Sequence, residues 1–270
     1  MNQQMLEICE VAPRDGLQSA SKILTVEERV LFVESLYARG FKKIEVGSLV
    51  NPTRVPTMAH SDAVFIALVK AHGENKNNYS LLVPNEKGFD RAIQIGCKSV
   101  AFFTATSETF NKKNINRTVA ESIAELHLLI ERARAQGMRV RLYISTVFDC
   151  AYEGIKNPEV DLQQFISLFS LVDEISLGDT TGKATEAQVK SLMAHAILKP
   201  YREKIWWHFH DTYRLAGANV RACLAAGFRR FDASAGGIGG CPFSPGAKGN
   251  IATEKVVALA EELGIPHQFI

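Results

Sequence analysis

The feature that most constrains this chain is a repeated alternation. Eight short runs rich in Val, Ile, Leu or Phe are each followed by a longer stretch with helical spacing, from one end to the other. The runs are Met5–Val11, Lys43–Gly47, Tyr79–Val83, Ser99–Phe103, Arg139–Ser145, Glu174–Leu177, Ile205–His210 and Arg230–Ser234. Such alternation is the pattern of βα units around a parallel sheet. Between the runs, apolar residues recur three and four apart, as in Val30, Val33, Leu36 and Tyr37, or Ile123, Leu126, Ile130 and Ala133; these stripes predict helices packed on the outside of a sheet. Gly40, Gly96, Gly137 and Gly227 each stand between a helical stretch and a strand, where a positive φ ends a helix. Thr25 followed by Glu28 has the spacing of a capping box. Eight units in 270 residues, with no Pro/Ser-rich linker, predict a single-domain (β/α)8 TIM barrel over residues 1–270. An open doubly wound sheet is the structural alternative.

Charge narrows the partners. With 31 basic and 29 acidic side chains the net charge is +2, and no basic cluster offers the face that nucleic acid requires. No apolar run approaches the roughly 18 to 20 residues that cross a bilayer, and Met1-Asn2-Gln3-Gln4 lacks a signal peptide's basic and apolar regions; a cytoplasmic protein acting on small molecules or protein is expected. Cys9, Cys97, Cys150, Cys223 and Cys241 are scattered without a C-x-x-C pair, which predicts reduced thiols rather than disulfides or a zinc knuckle.

In a barrel, the segments just after the strands share one rim, where such folds build their sites. Arg14 and Asp15 follow strand one, strand two carries Glu45, Gly178-Asp179-Thr180 follows strand six, and His208-Phe209-His210-Asp211 closes strand seven. Strand alternation points His208 and His210 to one side and Phe209 to the other. Two imidazoles with Asp15 can supply N,N,O ligation to a divalent metal with positions left open. The alternatives are a satisfied pair of strand histidines, and turn or cap roles for Asp15 and Asp179. After strand eight, six of the sixteen residues from Ala235 to Asn250 are glycine, which predicts a mobile loop at the site. Cys241 lies in it, either as a thiol that protonates a carbanion or enolate or as a small buried hydrophobe.

The segments Val11-Ala12-Pro13-Arg14-Asp15-Gly16-Leu17-Gln18, Lys112-Lys113-Asn114-Ile115-Asn116, Tyr152-Glu153-Gly154, Ser176-Leu177-Gly178-Asp179-Thr180, His210-Asp211-Thr212-Tyr213 and Gly240-Cys241-Pro242 together resemble the 3-hydroxy-3-methylglutaryl-CoA lyases, within the larger group of metal-dependent barrel lyases and aldolases. The resemblance runs nearly end to end. It implies that Asp15, His208, His210 and Asn250 bind Mg²⁺ or Mn²⁺, that Arg14 stabilises an enolate oxygen, and that Gln18, Glu45 and Asp179 surround the substrate with Arg14. It further implies that His208 or Asp179 acts as base, that Cys241 is the loop thiol closing over the site, and that an acyl-CoA is cleaved to acetyl-CoA and a 3-oxoacid such as acetoacetate. A homodimer serving leucine breakdown or ketone-body formation is the family expectation.

The chain departs from that pattern in places. Arg214 stands where the family usually has Gly, and Val46, Gly47 and Leu49 replace bulkier or more polar neighbours. The family commonly continues into C-terminal helices beyond the eighth, and CoA affinity is where that difference is expected to tell. Small residues at Gly47, Ala233, Ala235 and Gly236 suggest room for a larger, branched 3-hydroxyacyl group, packing drift being the alternative. Rival functions are a related metal-barrel aldolase or acyl-CoA condensing synthase and, from another class, a non-catalytic barrel that binds acyl-CoA or protein.

Overall fold

The computed structural model describes residues 4–73, 78–239 and 249–269. Eight parallel strands close into a barrel in sequential order: β1 (Glu7–Glu10), β2 (Ile44–Ser48), β3 (Tyr79–Leu82), β4 (Ser99–Ala105), β5 (Arg139–Ser145), β6 (Glu174–Asp179), β7 (Ile205–Phe209) and β8 (Arg230–Ala233). Closure comes from β1 pairing with β8, Glu7 to Glu10 running beside Arg230 to Ala233. The barrel therefore replaces the open-sheet alternative. Every expected strand is present, with ends shifted by a residue or two. Strand β6 runs on through Gly178 to Asp179, and a side chain at Gly178 would press within 3.2 Å of the Ile144 carbonyl on β5; the glycine serves close strand approach rather than a turn.

Alternation along the strands divides the residues into two sets. Val140, Leu142 and Ile144 on β5, Ile205, Trp207 and Phe209 on β7, and Phe231 and Ala233 on β8 join the large apolar core between barrel and helices. The intervening residues turn to the barrel axis, where Trp206 packs with Cys9 and Val11. Val33, Leu36, Leu126, Ile130 and Ala133 are buried on the helical stripes, each large aliphatic contributing about 1.5 to 3 kcal/mol by leaving water. Thr25 and Glu28 form the expected capping box at the start of helix α1 (Val26–Ala38), and the four expected glycines all have positive φ. A short antiparallel hairpin, Asp149–Cys150 with Gly154–Ile155, follows β5 at the rim.

Candidate metal centre at the barrel rim

Beyond β1 the chain makes a wide helical turn over Ala12–Gly16. Its width is set by the Val11 carbonyl, which accepts both the Asp15 amide at 2.7 Å and the Gly16 amide at 3.3 Å. Wide turns of this kind recur at functional sites, and this one swings Arg14 and Asp15 over the barrel mouth. Glu10 fastens it: one carboxylate oxygen accepts the Ala12 amide at 2.9 Å and the Ala235 amide at 3.0 Å, while the other meets the Thr253 hydroxyl at 2.7 Å. A single buried side chain thus ties together the Asp15 turn, the start of the glycine-rich segment and the last helix (Thr253–Glu262). Burial outweighs those three hydrogen bonds and raises the Glu10 pKa to about 7.

His208 and His210 face the same side, as their spacing predicts, and their Nε2 atoms lie 3.2 Å apart. The Asp15 carboxylate comes to 3.9 Å from His208 Nε2 and 4.0 Å from His210 Nε2. One ligand atom from each of the three residues fits within a 4.8 Å span. Burial first, then the neighbouring His208, push His210 down to about 4, so at neutral pH its ring is uncharged and carries a lone pair. Burial pushes Asp15 upward, but Arg14, His208, His210 and the Asn250 amide outweigh it and hold the carboxyl well below its usual range. Asn250 donates from Nδ2 to Asp15 at 2.7 Å. The amide's oxygen and nitrogen exchange by rotation about one bond, so the same residue can present an oxygen. Two imidazole nitrogens, a carboxylate and an amide oxygen fit Mn²⁺ or Mg²⁺.

Around this centre the other expected residues divide. Arg14 pairs through Nε with Glu45 and through Nη1 with Asp15, and Glu45 accepts the Tyr143 hydroxyl at 3.1 Å, so Glu45 holds Arg14 with both oxygens occupied. Asp179 gives its carboxylate to the amides of Gly182, Lys183 and Ala184 at 3.0 to 3.1 Å; burial, partly offset by those bonds, raises it to about 7. Its side chain shapes the loop beyond β6, the turn role its position first suggested. The Gln18 carbonyl accepts the Thr57 hydroxyl at 2.8 Å. Cys241 and its Gly240 and Pro242 neighbours lie outside the described residues. On either side of them the chain comes back on itself: a side chain at Gly249 would lie 2.0 Å from the Gly239 carbonyl, so only glycine allows this close approach.

Three of the four positions expected to widen the pocket, Gly47, Ala233 and Ala235, face the helix layer instead. A Cβ at Gly47 would lie 2.5 Å from Ser61 Oγ and 2.8 Å from Arg29 Nη2, among groups of the helix layer. Ala233 belongs to the core between barrel and helices, and Ala235 packs against it. A register shift between Glu45 and Gly47 reverses the side that simple alternation would give the glycine. Sequence reading also missed an inward-facing set. Asp232 accepts from Ser176 Oγ at 2.6 Å, contacts His208 Nδ1 at 3.2 Å and pairs with Arg141. Burial pushes Asp232 up, and Arg141 together with His208 and Ser176 more than compensates, so it stays ionised. The period-two pattern Arg230, Asp232, Ser234 was the available signal.

The profile of the HMGL-like family matches residues 5–269. The chain is 41% identical over 262 residues to a hydroxymethylglutaryl-CoA lyase of Pseudomonas mevalonii, covering 97% of this chain and 86% of that protein. It is 40% identical over 266 residues to a 3-hydroxy-3-isohexenylglutaryl-CoA/hydroxymethylglutaryl-CoA lyase of Pseudomonas aeruginosa, covering 96% of this chain and 86% of that protein. The crystal structure of hydroxymethylglutaryl-CoA lyase from Pseudomonas aeruginosa superposes with a TM-score of 0.92 at 39% identity, over 100% of this chain and 90% of that one.

Proposed function

The chain belongs to the HMGL-like family, and from that premise we propose that it is a carbon–carbon lyase that cleaves 3-hydroxy-3-methylglutaryl-CoA, or a close 3-hydroxyacyl-CoA analogue, to acetyl-CoA and the matching 3-oxoacid, acetoacetate for the first substrate. The observation that carries this reading is the convergence of Asp15, His208 and His210 beside Arg14 at the rim. Asp15, His208, His210 and Asn250 are the residues that would hold Mg²⁺ or Mn²⁺. When bound, the cation supplies Lewis-acid polarisation of substrate oxygens.

The protein's own groups then account for the remaining steps. A base, His208 or Asp179, takes the proton of the tertiary hydroxyl; the hydroxyl becomes the new ketone as the adjacent C–C bond breaks. The electron pair of that bond passes to the acetyl thioester as an enolate. Arg14, with Nε and Nη1 held by Glu45 and Asp15, offers Nη2 to the enolate oxygen, and Cys241 delivers a proton to the enolate carbon. A metal-bound His208 is a poor base and Asp179 is engaged by three loop amides, so the Asp179→Asn variant decides which of the two takes the proton. In this reading the enzyme is a cytoplasmic homodimer in leucine or related acyl-CoA breakdown. Among the described residues no helix is long and apolar enough to cross a membrane.

The test is a coupled assay of acetyl-CoA release with Mg²⁺ or Mn²⁺, comparing the parent with His208→Ala and Cys241→Ser. Metal-dependent turnover that both variants lose supports the lyase; a metal-loaded parent that cleaves neither this thioester nor longer analogues overturns it in favour of a synthase or a binding barrel.

A further inference from the structure

We infer that Asp232 is a positioning residue for the metal centre, fixing His208 as the tautomer protonated on Nδ1 so that its Nε2 lone pair points to where Asp15 and His210 converge. The inference rests on the metal reading above and extends it to a carboxylate on another strand. Its basis is a count of donors. Arg141 Nη2 occupies Asp232 Oδ1, and Arg141 is permanently charged and can only donate. Ser176 reaches Oδ2 at 2.6 Å, and His208 Nδ1 lies 3.2 Å from the same oxygen. A carboxylate paired with arginine has no proton to give, so the hydrogen in the His208 contact belongs to the ring. In a neutral imidazole that leaves Nε2 free of hydrogen, on the side facing His210 at 3.2 Å and Asp15 at 3.9 Å.

Asp232 is itself held. Arg141 reaches Glu174 Oε2 through Nη1 at 3.0 Å, and Glu174 Oε1 takes Lys43 and Arg139. The column Lys43, Glu174, Arg141, Asp232, His208 therefore draws on four strands of the barrel and the residue leading into β2, and it leaves the carboxylate little freedom to turn. Carboxylate–histidine pairs behind a metal act in this way, orienting the ring and fixing its tautomer.

Two measurements decide it. On the chelator-treated, ¹⁵N-labelled full chain, long-range ¹H–¹⁵N spectra, with His208 identified by its loss in His208→Gln, should show Nδ1 protonated and Nε2 bare; a hydrogen on Nε2 overturns the inference. Mn²⁺ titration followed by electron paramagnetic resonance should show binding about 10 to 100-fold weaker in Asp232→Asn, with a smaller loss in Ser176→Ala and circular dichroism matching the parent. Unchanged affinity in a folded Asp232→Asn overturns the inference alone, whereas a parent that binds no Mn²⁺ overturns the metal reading and this with it. Should Asp232→Asn fail to fold, the parent's tautomer and Ser176→Ala decide.

Discussion

Replacing Glu10 by glutamine tests whether the clasp joining the three rim segments is neutral. Its carboxyl rises from the ordinary 4.5 to about 7 through burial. A group whose folded pKa lies above its unfolded value contributes stability fully below the unfolded value, and that contribution is lost as pH climbs through the folded one. From pH 4.5 to 7, at about 1.4 kcal/mol per pH unit, the parent should lose about 3 kcal/mol through this group. The amide of the Glu10→Gln variant would keep an oxygen for the Ala12 and Ala235 amides and turn its NH₂ toward the Thr253 hydroxyl, with no proton to lose. Urea midpoints of both proteins at pH 5 and pH 8, with chelator present so that metal binding does not contribute, should show Glu10→Gln gaining on the parent by about 3 kcal/mol between the two pH values, with equal m-values. A difference between the two proteins that stays constant with pH, or shifts against the variant at pH 8, would refute a neutral clasp and mean that the three donors keep Glu10 ionised.

Asp179→Asn presents one acceptor to three loop amides and sets its NH₂ against a donor, as at Ala184; it should destabilise by about 1 to 3 kcal/mol, and unchanged thermal stability with a collapsed kcat would instead make the carboxylate a chemical participant. Gly47→Ala should lower stability by about 1 to 3 kcal/mol through crowding of Ser61 and Arg29 while leaving KM unchanged in the folded variant; a raised KM at equal stability would restore the pocket-widening idea. Arg214 has φ of 61°, a conformation that costs a side-chain-bearing residue about 1 to 2 kcal/mol, whereas glycine carries an unfolded-state penalty of about 0.5 to 1 kcal/mol. Arg214→Gly should therefore raise the urea midpoint slightly, and a lowered midpoint would mean that the arginine side chain has a stabilising contact.

Much of the architecture was legible because burial and backbone pairing act on short runs. Val140 to Ile144 and Ile205 to Phe209 read as strands, and alternation placed His208 with His210 and apart from Phe209. Asp15 was legible as a charged residue immediately beyond a strand. Asp232 was not, since its partner Arg141 is 91 residues away and Ser176 is 56 away; a single sequence shows that each strand has an inward set but not which members meet across the axis. Gly47 misled for a local reason: a bulge beside Glu45 breaks the two-residue period on which the inward assignment depended. Arg214 is the converse case, where the departure from an expected glycine marked a left-handed backbone position that the chain retains.

The charges inside the barrel also bear on how the proposed site would take a cation. Arg14, Lys43, Arg139 and Arg141 face Asp15, Glu45, Glu174 and Asp232 in linked pairs, four cations against four carboxylates. Buried pairs of this kind are weak sources of stability, and apolar residues of similar volume often serve a core as well or better. Stability alone therefore does not explain a polar barrel axis. The linked charges reach the rim at Asp15, beside two imidazole nitrogens and the Asn250 amide. With those pairs balanced, a divalent ion there would leave the centre net positive, which favours an anionic substrate and the enolate that forms from it. The ion pairs below would then keep His208 and Arg14 in place while that charge develops, so the same column that makes the interior costly to bury makes the rim rigid where the chemistry needs it.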